Sequence, residues 1–182
     1  MKKLFKKWWF WLIIIFLIVG FLNVSNNNSN MINVSSSNQE KITFLSGTNG
    51  KEFFQILCNI ANIEAPEGTI VGDSIDYVAS NLNYGIEIET NKKNEINWIS
   101  IYTLSKNNYE NFFLAIARLE YNGSDKAKCF NWIKENLGKE SIIKIGDANL
   151  KLCNGTSGLP ILTLYTDGNE NYQKEQIDKI SK

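Results

Sequence analysis

The side chains able to do chemistry in this sequence are carboxylates, lysines, hydroxyls and three cysteines, because it contains no His. That absence removes the commonest general base, the commonest metal ligand and every Ser–His or Cys–His nucleophile pair. Glu87 and Glu89 alternate with Ile86 and Ile88 in YGIEIET, which puts both carboxylates on one side of a strand. Such a pair can exchange protons with a substrate, and alternating acids also serve simply to keep an exposed face soluble. Glu64, Glu67, Asp73 and Asp76 gather in a stretch broken by Pro66, Gly68 and Gly72. They lack the spacing of an EF-hand and read as a solvated acidic loop.

Ser141-Ile-Ile-Lys144 has the Ser-x-x-Lys spacing of a serine nucleophile with a lysine base. The motif needs a helix, where one turn brings the amine to the hydroxyl. Here it lies in a strand pattern, which points positions i and i+3 to opposite faces, and no Lys-Thr-Gly accompanies it. Gly47-Thr-Asn-Gly50-Lys51 lacks the spacing and the final Ser/Thr of a phosphate loop. Cys58, Cys129 and Cys153 include no Cys-x-x-Cys, so no metal site and no cofactor are expected. A Cys129–Cys153 bridge is open to the chain if the helix carrying Cys129 crosses the last hairpin. Trp98 and Trp132 could stack on sugars, but both sit in apolar patterns that suit a core. Arg118, the lone arginine, faces away from its helix's apolar stripe.

The elements that must position these groups follow a membrane signal. From Trp8 to Leu22 the run WWFWLIIIFLIVGFL contains no polar residue. As a helix it reaches roughly 22 Å, short of the ~30 Å hydrocarbon core. Val24 and snorkelling by Lys6 and Lys7 narrow the gap, and Trp8, Trp9 and Trp11 suit the headgroup level. Lys2, Lys3, Lys6 and Lys7 precede the run, and the next lysine is Lys41. This asymmetry predicts a cytoplasmic N-terminus and an extracytoplasmic body. A cleaved signal peptide, leaving a secreted body, is the alternative, although residues 21–25 offer no small-residue pair for cleavage. The segment KKLFKKWWFWLIIIFLIVG resembles the N-terminal signal-anchors of small membrane-tethered proteins of Gram-positive bacteria. The resemblance implies topology alone.

Net charge is zero over the whole chain, and setting aside the four leading lysines leaves an acidic remainder. An anionic body excludes nucleic acid as the expected partner. Residues 23–40 are mostly Asn, Ser and Gln and read as a flexible linker with a reach of roughly 20–25 Å. The body spans 41–168 and a polar tail spans 169–182. Within the body the patterns predict a short strand at 41–45 and a helix at 51–62 capped by Thr48 or Asn49. One or two helical turns are expected at 74–82, then strands at 84–90 and 95–103, the second apolar on both faces. Helices follow at 108–120 and after Asp125, the latter with Phe130, Ile133 and Leu137 inward. Strands at 141–145, 148–153 and 159–166 complete the body.

This order predicts an α+β fold: one domain with an antiparallel sheet of about five strands and about three helices on one face, after an N-terminal transmembrane helix. No catalytic constellation emerges. The expected function is a non-enzymatic, membrane-tethered binding module that contacts the lipid bilayer through its helix and an unidentified envelope or protein partner through its body. A cell-envelope hydrolase and an inhibitor or immunity-type protein are the alternatives.

Overall fold

The computed structural model describes residues 42–103, 109–155 and 158–169. The anchor residues Trp8, Trp9, Trp11 and Leu22, the leading lysines, the linker and the tail beyond Asn169 lie outside them. Among the described residues no helix is long and apolar enough to cross a membrane.

Helix α1 (Gly50–Ala61) is followed by strands β1 (Thr69–Val71), β2 (Ser74–Ser80), β3 (Tyr84–Asn91) and β4 (Ile96–Thr103). Helix α2 (Glu110–Leu114) runs into a 3₁₀ turn (Ala115–Arg118), and α3 (Lys126–Asn136) leads to β5 (Ser141–Ile145), β6 (Ala148–Asn154) and β7 (Pro160–Tyr165). The seven strands form one antiparallel sheet in the order β1-β2-β3-β4-β7-β6-β5. The fold is α+β as expected, with seven strands where about five were predicted.

The additional strands come from 69–80, where irregular chain and helical turns were expected. Ile75, Tyr77 and Ala79 alternate with Asp76, Val78 and Ser80, a period of two that suits a strand with one buried side. Gly72, at φ 62°, turns β1 directly into β2. The predicted strand at 41–45 contributes only an isolated bridge, Leu45 to Ile96. Its segment is fastened instead by Thr48, whose Oγ1 donates to Leu45 O at 2.6 Å and accepts from Ile96 N at 2.9 Å. Capping of α1 therefore falls to Asn49, whose side chain accepts from Glu52 N. Asp125 caps α3 in the same way, accepting from Lys128 N at 2.9 Å.

The helices bury their apolar sides against one face of the sheet. Phe53, Phe54, Leu57 and Cys58 of α1, Phe112 and Phe113 of α2, and Cys129, Trp132 and Ile133 of α3 share a core with the row Tyr77–Ile88–Ile99–Leu164–Leu150. Helix α3 is turned from the predicted orientation: Cys129 and Trp132 point inward, while Phe130 is 38% exposed under the Lys134 ammonium at 5.2 Å. The indole thus takes the core site and a cation covers the displaced ring. Strand β4 is the sheet's middle strand and is buried almost throughout, matching its two-sided apolar sequence.

Two glycines with positive φ separate backbone strain from steric contact. Gly146, at φ 55° in the β5–β6 turn, lies against the Asn122–Gly123 backbone, and a Cβ there would overlap it. Gly72 has open space around it. Gly146→Ala should cost about 2–4 kcal/mol and Gly72→Ala about 1 kcal/mol, measured as unfolding free energies in urea.

Candidate functional site

The face of the sheet away from the helices carries the polar chemistry. Its register defines three rows. The first reads Thr69–Asp76–Glu89–Trp98–Tyr165–Asn149–Lys144, and the second Val78–Glu87–Ser100–Thr163–Lys151–Ile142. The third reads Ser80–Gly85–Tyr102–Ile161–Cys153. Trp98, Ser100, Thr163, Tyr165, Ile161 and Cys153 are buried, yet none belongs to the core under the helices. Gly85 leaves room for the Tyr102 ring, which a Cβ at that position would overlap.

Carboxylates occupy one flank of this face and lysines the other. Asp76 stands directly across from Glu89, and Glu87 is the next outward-facing residue of β3. Glu89 Oε1 accepts from Ser74 Oγ at 3.0 Å and from Asn97 Nδ2 at 2.9 Å. A bulge where β3 meets β4, at Glu89/Thr90, brings Asn97 to that carboxylate. Burial raises the Glu87 carboxyl above its ordinary range, and the Asp76 charge adds to the rise. Burial and then Glu89 raise Asp76. Tyr102 is raised by burial and then by Glu87. Lys151 is three strand spacings from Glu87, roughly 14 Å, beyond the ~8–10 Å screening length of ordinary saline. The lysine flank therefore does little to neutralise the carboxylates.

At the other flank Lys144 Nζ donates to Asp167 at 2.7 and 3.0 Å, and Asn149 Nδ2 donates to the same carboxylate at 2.9 Å. Hydrogen bonds from Lys144 and Asn149 hold Asp167 below the usual range. This node ties β5 and β6 to the end of β7.

The structure disperses most of the groups singled out by sequence. Ser141 faces the helices and accepts from Trp132 Nε1 at 3.2 Å, while Lys144 points to the outer face. The Ser-x-x-Lys spacing therefore creates no hydroxyl–amine pair. Lys51 is drawn to Glu67 at 3.0 Å rather than toward a phosphate. Asp73 pairs with Lys92 at 2.7 Å, which lowers its carboxyl, and Asp76 leaves the acidic loop altogether as a strand residue. Arg118 is exposed. Trp98 is buried, as expected, but on the outer face; Trp132 lies in the core. No group of described residues could hold a metal ion.

All three cysteines are free and buried. The Cys129–Cys153 bridge is absent for a geometric reason: Cys129 sits in the core under α3, and Cys153 points out of the sheet's other face. Burial pushes the Cys58 thiol up to about 11 and Cys129 up to about 12, and it also raises Cys153. Among the described residues, a depression of about 430 Å³ lies beside Tyr109, Glu110, Asn111 and Leu137, and another of about 310 Å³ lies at the lysine flank of the outer face, beside Glu140, Ile142, Lys151 and Tyr165.

No family model matches the chain, and no curated protein matches it. One solved structure with partial likeness is a cysteine-rich secretory protein from Staphylococcus aureus subsp. aureus Mu50. It is 16% identical, with a TM-score of 0.36, over 69% of this chain and 47% of that one.

Two outcomes check this geometry. Raised carboxyls favour the protonated fold, so the stabilisation from Asp76 and Glu87 is greatest at low pH and is lost as pH rises through their elevated pKa values. Glu87→Gln should add on the order of 1 kcal/mol at pH 7 and almost nothing at pH 4, read by urea unfolding at both. Thiol-specific reagent should label none of the three cysteines in the folded chain and all three in denaturant, with an intact mass unchanged by reduction.

Proposed function

We propose that the chain is a membrane-tethered extracytoplasmic binding module, held by the Trp8–Leu22 run and acting through the outer sheet face of its body. The observation that carries this reading is the inequality of the two faces. One is packed beneath the helices, and the other carries carboxylates on one flank and lysines on the opposite flank of a buried aromatic centre. The lysine-led apolar run and the Asn/Ser linker support the tethered setting, because four cations before the run and none close after it favour a cytoplasmic N-terminus. An inhibitor or immunity-type role is the same reading with a partner's active site as the target.

A hydrolase using carboxylates is favoured by one observation, the convergence of Asp76, Glu87 and Glu89 with raised protonation at two of them. With Ser141 bonded to Trp132 and turned away from Lys144, and the thiols buried, those carboxylates are the catalytic groups such an enzyme would use.

Protease shaving of intact cells tests the setting. With an N-terminal tag, the body should be digested while the tag stays in the membrane fraction; a body protected in intact cells would refute the topology. Full-length chain as bait in envelope extract should retain a specific partner, and retention of none counts against the module.

A further inference from the structure

Among the described residues four carboxylates each hold a lysine ammonium: Glu67 with Lys51 at 3.0 Å, Asp73 with Lys92 at 2.7 Å, Glu110 with Lys134 at 3.4 Å and Asp167 with Lys144 at 2.7 Å. Asp76 stands across from Glu89, Glu87 is the next residue of β3 on the same face, and none of the three holds an ammonium among the described residues. Only neutral donors serve Glu89, and Asp76 and Glu87 have no hydrogen-bond donor among the described residues. The shortage of donors extends inward. Asn97 is wholly buried with its carboxamide fastened to Glu89, and its Oδ1 has no hydrogen-bond partner.

Apolar surface adjoins these acceptors. Val71 and Val78 stand on the same outer face, on either side of Asp76, and are 53% and 56% exposed. A ligand for this flank must therefore bring positive charge and N–H donors at its tip and aliphatic surface behind it. A metal ion supplies no apolar contact, and no described residues group to hold one. Anionic nucleic acid and anionic lipid headgroups meet the wrong charge.

We propose that the Val71–Asp76–Val78–Glu87–Glu89 patch receives Lys or Arg side chains of a protein partner, their aliphatic stems on the valines and their cationic ends on the carboxylates. This rests on the reading of the body as a binding module and assigns that module's partner a basic, apolar contact segment. The raised protonation of Asp76 and Glu87 supports it, since a cation would replace the proton that the crowded carboxyls otherwise favour. Proton and partner then compete, so binding weakens in mildly acidic medium.

The test is calorimetric titration of the full chain, in detergent micelles, with a synthetic tetralysine peptide. Saturable binding is expected, falling at least fivefold between about 0.05 and about 0.3 M salt. D76N/E87Q should weaken it about tenfold while preserving the bonds that anchor Glu89; E67Q/D73N, the same charge change at lysine-paired acids, should change it less than about twofold. Lowering the pH from about 7.5 to about 5 should weaken the wild type and leave D76N/E87Q nearly unaffected. Absence of saturable binding, or equal losses in the two double variants, overturns the proposal. In parallel pull-downs, a partner held by wild type and released by D76N/E87Q supports both site and module. A partner held equally by both chains overturns this site and leaves the module reading intact.

Discussion

The pairing of β4 with β7 is the constraint on which the rest of the body depends. Everything before it, β1 to β4, is a hairpin ladder of near neighbours, and β5 to β7 form a second, smaller ladder. Only the alignment of Trp98–Tyr102 with Ile161–Tyr165 merges them into one sheet. Ile99 and Ile101 then meet Leu164 and Leu162 under the helices, while Trp98 and Ser100 meet Tyr165 and Thr163 on the reverse side. Both strands are buried on two sides, so their backbone groups have no recourse to water and must bond each other. The terminal segment 42–48 reinforces the seam from one end. Thr166 donates from Oγ1 to Thr43 O at 2.7 Å and from its backbone to Asn97 O at 3.1 Å.

That two-sided burial shapes the chemistry available. The centre of the outer face is given to Trp98, Tyr165, Ser100 and Thr163, all nearly inaccessible, so charged groups are displaced to the flanks. Acids collect toward β2 and β3, lysines toward β5 and β6. Because a sheet spaces its strands evenly, the width of the neutral centre keeps the two sets electrostatically separate. Asp167 is the exception that clarifies the rule: placed just beyond β7, it lies next to the lysine flank and is neutralised there. The carboxylates on β2 and β3 have no equivalent counter-ion among the described residues, and burial, with a neighbouring carboxylate second, raises Asp76 and Glu87.

The α+β class and the central position of β4 were legible because EINWISIYT is apolar on both sides and the turn pairs around it are chemically explicit. β2 was missed where Gly68, Gly72 and the acids masked the alternation of Ile75, Tyr77 and Ala79. Strand propensity there depends on β3 as a neighbour, which local pattern does not reveal. The rotation of α3 was missed because its weak amphipathic pattern admits either Phe130 or Trp132 as the inward aromatic; tertiary packing chose the indole. Glu87 and Glu89 were correctly placed on one strand face. The meeting of Asp76 with Glu89 was illegible, since it is fixed by cross-strand register. The opposite orientations of Cys129 and Cys153 belong to the same class of fact, set by how a helix lies over a sheet.

The sheet's order in space also sets an order in time. β4 ends at Thr103, but the strand that seats beside it begins only at Pro160, near the close of the described chain. While the polypeptide is being made, the free edge of β4, flanked by Trp98 and Ile101, must wait through the synthesis of two helices and the β5–β6 hairpin. Such an edge invites pairing with other chains until its own strand arrives. A chain stopped short of β7 would leave β4 and β6 without the strand that joins them. Closure of the sheet thus waits on β7, the last of its strands to be made.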